Sequence, residues 1–507
     1  MKSLKYMLLG GMVWLGSACA NFDNLNTDPN SASTVSSSLL ATPLLLDLMA
    51  TGGTASGFIA DNCLAKQMVW LESLHDYNYN VLGRAGIGGY KTLINAQKMV
   101  ELADEENRPA YEALALFVKS YKLFYYSMQL GDIPYSEALK GEEGNTKPKY
   151  DPQEEVMIGL VNDLQESARL FAQAKDFEGD PILKGNVAAW QKTVNAFRLK
   201  VLLYLSRKAN HPVLKVPERF AAVVAEGKLM TSNSDNFQLE FSDKAGQIYP
   251  FNRTVSKHYY YSTISSVVVD TLKAYGDYRL FYFAKPVKTL VESGMRPDDM
   301  NAYVGLDPAA DFSDLQDISA DGKCCTLNPR YTDVITGEPY TRLGYAEQCF
   351  ILAEAILRGW IKGDASSYYN EGIWAAMRFV ADYTPDDVTY HSGRVITDAY
   401  IDQYVQSEKV KLTGDFEHRL KQIIIQKYLA YYMQYPYDAY YEYRRTGYPE
   451  LPVNPQTNRN TVKDKIPVRW MYPVWEYDYN RESVEEAVAR QFNGVDDNNK
   501  LMWILQE

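Results

Sequence analysis

The feature that most restricts the fold is a recurrence of apolar residues at helical spacing, in long stretches at both ends of the chain and missing from its middle. Ser36 to Met49 carries Leu39, Leu40, Leu44, Leu45, Leu46 and Leu48, with Pro43 expected near the first turn. Tyr90 to Ala103, Arg108 to Leu130, Asp151 to Lys175 and Asn186 to Arg207 follow the same rule. Gly131-Asp132-Ile133-Pro134 stops the third of these, and Asp151-Pro152 opens the fourth as a cap followed by a first-turn proline. Helical spacing returns at Gly344 to Gly359, Ser366 to Thr384, Ile396 to Val405 and Asp415 to Tyr435. From about Asn233 to Arg342 turn pairs and Gly/Asp/Pro punctuation dominate, with short β-like runs such as Ala284 to Leu290. The expectation is a mainly α fold of helix pairs with an irregular, few-stranded middle. Helical-repeat packing suits this pattern, although no clean period of about 34 residues can be aligned.

Five cysteines in 507 residues leave no disulfide scaffold, so a hydrophobic core must hold the fold. Cys63, Cys324, Cys325 and Cys349 read as free, buried thiols. A formal net charge of -12 and the lack of any Lys/Arg-rich run argue against a nucleic-acid partner. His75, His211, His258, His391 and His418 show no metal-helix spacing, and neither Gly-x-Ser-x-Gly nor a phosphate loop occurs. No catalytic residue, cofactor or metal is therefore expected. The Asp-rich stretch from Asp307 to Asp321 offers oxygens for calcium, but its spacing does not match an EF-hand. Glu347 and Glu354, seven residues apart, share one helix face and read as hydrogen-bonded packing, not as an acid-base pair.

The N-terminus reads as a lipoprotein leader. Lys2 and Lys5 precede the apolar run Met7 to Leu15, and Gly16, Ser17 and Ala18 lead to Cys19. Residues 1–18 are expected to be a signal peptide, and Cys19 to carry the lipid. Residues 19–35, rich in Asn, Asp, Ser and Thr, would form a tether, and 36–507 one domain. After the leader no stretch approaches eighteen apolar residues, so lipid at Cys19 would be the membrane anchor.

Five ordered segments resemble the SusD/RagB family. They are Asn24-Leu-Asn-Thr-Asp-Pro-Asn30, Gly131-Asp-Ile-Pro-Tyr-Ser-Glu-Ala138, Tyr345-Ala-Glu-Gln-Cys-Phe-Ile-Leu-Ala-Glu-Ala355, Tyr443-Arg-Arg-Thr-Gly-Tyr-Pro449 and Ile466-Pro-Val-Arg-Trp-Met-Tyr-Pro473. The resemblance implies four tetratricopeptide-like helix pairs on one side and an irregular segment over the other. It implies a lipoprotein of the outer membrane that faces the cell exterior beside a SusC-like TonB-dependent transporter. Such proteins capture nutrient oligosaccharides, or in some members peptides, without catalysis.

A sugar presents apolar C–H faces ringed by hydroxyls, so its site wants aromatic platforms beside Asn, Asp, Arg or Gln. Forty tyrosines against eighteen phenylalanines supply the platforms in excess, so position must choose among them. Two stretches qualify: Trp70 to Asn80, with Trp70, His75, Asp76, Tyr77, Asn78 and Tyr79, and the irregular middle, with Tyr259, Tyr260, Tyr261, Tyr303 and Arg330. Peptides would use the same aromatics and add contacts to backbone. Arg444 and Arg445 are expected to tie a helix end to a loop by stacking and bidentate bonds.

Overall fold

The computed structural model describes residues 35–50 and 55–507, so the leader, Cys19 and most of the tether lie outside the described residues. The chain is mainly α-helical, and its helices stack in pairs. α1 (Ser37–Leu48) packs on α2 (Tyr90–Glu101), and α3 (Arg108–Leu130) on α4 (Gln153–Phe171). α5 (Val187–Tyr204) packs on α6 (Val216–Ala225), and α7 (Tyr345–Leu357) on α8 (Ala365–Asp382). The four pairs stack in turn through α2 on α3, α4 on α5, and α5 on α7. Insertions of unequal length, 49–89 inside the first pair and 226–344 between the third and fourth, explain why no single period aligns.

Local chemistry sets the helix starts. The Ser36 and Asn186 side chains accept from the Leu39 and Ala189 N–H groups and cap α1 and α5. Asp151 does not cap α4 as the sequence suggested. It accepts from the Tyr135 and Ser136 N–H groups and the Ser136 hydroxyl, and the α4 cap comes from Asp132, whose Oδ1 accepts from Gln153 N at 2.8 Å. Pro43 lies inside α1, not at its first turn, where it cannot donate to the carbonyl of Leu39.

Trp190 anchors the second and third pairs. It is fully buried, stacks on Phe171 at 5.4 Å, meets Phe117 edge-on at 5.3 Å, and donates its indole N–H to Asp180 at 2.9 Å. α9 (Asp398–Gln406) packs on α8, and α10 (Phe416–Ala430) on α7 and α8, followed by α11 (Pro436–Thr446). A buried ionic network joins four of these helices. Lys200 on α5 lies 3.0 Å from Glu347 and 2.8 Å from Asp438, and Lys427 on α10 lies 2.6 Å from Glu442. Arg445 on α11 grips Glu354 through two bonds of 2.6 and 2.7 Å. Glu347 and Glu354 thus each serve a cation in the core. Arg444 stacks over Tyr441 and donates to the carbonyls of Met128 and Val468, tying α11 to the end of α3 and to the loop around 466–473.

The irregular segments pair as short antiparallel strands: β1 (Met68–Trp70) with β3 (Ser262–Ile264), β2 (Phe237–Leu239) with β6 (Tyr340–Leu343), and β4 (Ala284–Lys285) with β5 (Thr326–Leu327). The run Ala284 to Leu290 is a strand for two residues only and then turns into the short helix Lys288–Glu292. The register Met68↔Ile264, Val69↔Thr263, Trp70↔Ser262 carries most weight for function, because it sets the segment after Trp70 beside that before Ser262. Cys63, Cys324, Cys325 and Cys349 are buried free thiols.

Candidate functional site

Beyond β1 the chain makes a tight turn held from behind. The Asn78 side chain accepts from Trp70 N at 3.0 Å, and buried Lys66 donates to the carbonyls of Tyr77 at 2.9 Å and Asn78 at 2.6 Å. With its backbone pinned, the turn offers His75, Asp76 and Tyr77 to a cleft of about 470 Å³. Asp61 forms part of another wall, at the start of a single 3₁₀ turn (Asp61–Cys63). Trp470 and Arg84 come from distant segments. Main-chain bonds Ala85 N to Met471 O and Met471 N to Gly83 O, of 3.0 and 3.1 Å, join those segments and bring both residues to the cleft.

The rings form a continuous path. Tyr261 lies 6.5 Å from His258, His258 5.7 Å from Trp70, and Trp70 6.1 Å from His75. His75 lies 5.6 Å from Tyr77, Tyr77 6.4 Å from Trp470, and Trp470 6.1 Å from Tyr437. Such a path runs from the exposed 258–261 turn into the cleft and gives flat apolar faces with polar tips.

Charge in the cleft is mostly neutralised locally. Asp76 pairs with Arg459 at 3.1 Å, and Arg84 with Asp496 at 3.2 Å. Burial holds the His75 imidazole below its ordinary value, opposed by the Asp76 charge. Asp61 differs: burial pushes its carboxyl up to about 7, opposed by a hydrogen bond from the Tyr437 hydroxyl at 3.2 Å and by the Arg342 charge. Burial likewise brings the Lys66 ammonium down to about 7.

Of the residues singled out from sequence, His75, Asp76 and Tyr77 line the cleft together. Trp70 is 4% exposed and backs the wall, while Asn78 and Tyr79 are buried, Asn78 as the pin of the turn. Tyr260 is 70% exposed, its ring 4.1 Å from that of Tyr259, next to the outer end of the ring path. Tyr303 and Arg330 belong to the interior instead. The Tyr303 hydroxyl donates to the carbonyl of Pro297 at 2.9 Å, and Arg330 pairs with Glu338 and donates to the Tyr331 hydroxyl. A polar tip satisfied inside the protein has the same sequence letter as one offered to a ligand. Asp61, Arg84 and Trp470 were not expected here. Trp470 sits in the segment 466–473 noted above for resemblance alone, whereas Asp61 has no local signal. In the Asp-rich stretch Asp311 caps the helix Phe312–Ala320 and Asp321 pairs with Lys323; among the described residues no cluster of three or more His, Cys, Asp or Glu could hold a metal ion.

Comparison with known proteins accounts for this scaffold. The sequence pattern of the family SusD-like_2, described as "Starch-binding associating with outer membrane", matches residues 29–473. The chain belongs to the SusD-like family. A SusD homologue of Bacteroides fragilis NCTC 9343 superposes with a TM-score of 0.91 at 53% identity, over 93% of this chain and 100% of the homologue. A second SusD homologue from the same strain gives a TM-score of 0.82 at 32% identity, over 94% and 100%. An outer membrane protein of Bacteroides vulgatus ATCC 8482 gives 0.83 at 33% identity, over 93% and 100%. Among curated proteins none matches. The SusD-like fold therefore has a family-level description of carbohydrate binding and outer-membrane association.

Proposed function

We propose that this SusD-like protein captures a nutrient oligosaccharide at the cell surface and passes it, chemically unchanged, to a SusC-like TonB-dependent transporter. A lipid on Cys19 would hold the protein on the outer leaflet, with residues 19–35 as the tether. The observation that carries the reading is the ring-lined cleft bounded by His75, Tyr77 and Trp470, its turn fixed by Lys66 and Asn78 before any ligand arrives. Aromatic faces stack on the C–H faces of sugars, and a wall fixed in advance lowers the ordering cost of binding. Glu347 and Glu354, which share one helix face, each serve a cation in the core.

Growth tests the transport role. A strain lacking this gene is expected to grow poorly on one polysaccharide yet normally on its monosaccharide, because the monomer does not need capture. Equal growth on both would contradict the reading, and a defect confined to peptide sources would favour oligopeptides as the cargo.

A further inference from the structure

Asp61 is the carboxyl in the cleft that has no ion-pair partner among the described residues. Among the described residues no cation lies within ion-pair distance of its carboxylate, whereas Asp76 has Arg459 and Arg84 has Asp496. The groups that face Asp61 have been assigned: Tyr437 from α11 hydrogen-bonds it, Arg342 and Tyr340 of β6 act from further off, and Cys63 lies on its own turn. His75 and Tyr77 come from the pinned turn, and burial holds the His75 imidazole below its ordinary value. The cleft thus holds a half-buried carboxyl in one wall with half-buried Tyr77, backed by the buried Trp470. A carboxylate next to aromatic rings is the surrounding that an organic ammonium prefers, since the ring quadrupole and the anion attract the same charge.

We propose that the cleft selects an oligosaccharide bearing a free amine, with Asp61 as the specificity-determining residue that pairs with the ligand's ammonium. This rests on the oligosaccharide reading above and names the class within it. A carboxyl that burial pushes up to about 7 fits such a role: the ligand's cation would supply a close counter-charge, and the carboxyl would ionise on pairing with it.

The test compares, by calorimetry on the soluble chain from Asn21 onward, a β-linked glucosamine tetramer, its fully N-acetylated counterpart and trilysine. The free-amine tetramer is expected to bind about tenfold more tightly than the acetylated one, the scale of one desolvated cation–aromatic contact. Asp61→Asn, which keeps the shape of the side chain and its bond to Tyr437, should erase that preference. In the unaltered protein, added salt should weaken binding of the amine but not of the acetylated tetramer. Equal or tighter binding of the acetylated tetramer, or a preference that survives in Asp61→Asn, would overturn the proposal and leave oligosaccharide capture standing. Binding of trilysine without either tetramer would overturn it together with the oligosaccharide reading, and silence on all three would overturn it as well.

Discussion

At the scale of single residues, Trp70 and Tyr77 separate support from contact. Both are aromatic and seven positions apart, yet Trp70 is 4% exposed inside the wall while Tyr77 borders the cleft. Trp70→Ala is expected to lower folding stability by about 3–5 kcal/mol, as loss of a buried indole does. Tyr77→Ala should leave the fold intact and weaken ligand binding by about 1–3 kcal/mol. Denaturant titration and calorimetry on the two variants check this, and a Tyr77→Ala protein with unchanged affinity would move the site elsewhere. Sequence could find the segment holding both residues, because aromatic and amide side chains crowd there. It could not sort them, since the burial of Trp70 follows from the pairing of β1 with β3, residues far apart in the chain. Tyr303 and Arg330 show the same limit, being polar-tipped side chains whose partners lie inside the protein.

At the scale of elements, the helices were legible because each carries its own period and some, such as α1 and α5, carry a cap within a few residues. What was not legible is which helix meets which, because the insertions at 49–89 and 226–344 hide the pairing, and because the core charges that join helices carry no mark of their partners. Glu354 is the clearest of these. Burial would push its carboxyl up, but Arg445, gripping both oxygens, and Arg358 bring it down to about 2. A carboxyl depressed in the folded state adds stability that is fully present above its ordinary value near 4.5 and is lost as pH falls toward 2. Glu354→Gln should cost about 3–5 kcal/mol near neutral pH, because Arg445 keeps only half of its countercharge. Its stability should also fall less steeply in acid than that of the parent. Denaturant midpoints between neutral pH and the acid limb measure both effects, and parallel acid limbs would contradict the assignment.

At the scale of the whole molecule, four stacked helix pairs make one side, and the cleft is built from three distant parts of the chain. Residues 57–84 give the turn and Asp61, 258–264 give the strand that positions Trp70, and 466–473 give Trp470. Sequence resemblance reached the first level, the family and its helix pairs, since those rest on ordered local motifs. His75, Asp76 and Tyr77 followed from local crowding of aromatic and polar side chains, whereas the arrival of Trp470 depends on contacts between residues about four hundred positions apart, such as Gly83 with Met471.

Capture without chemistry is tested most directly by calorimetry of the soluble chain from Asn21 onward against a panel of oligosaccharides and mixed peptides, with the mass of each bound ligand measured afterwards. One oligosaccharide class should bind with its mass unchanged, and Tyr77→Ala should weaken that binding. Silence on every oligosaccharide, or a bound oligosaccharide returned at lower mass, would contradict it.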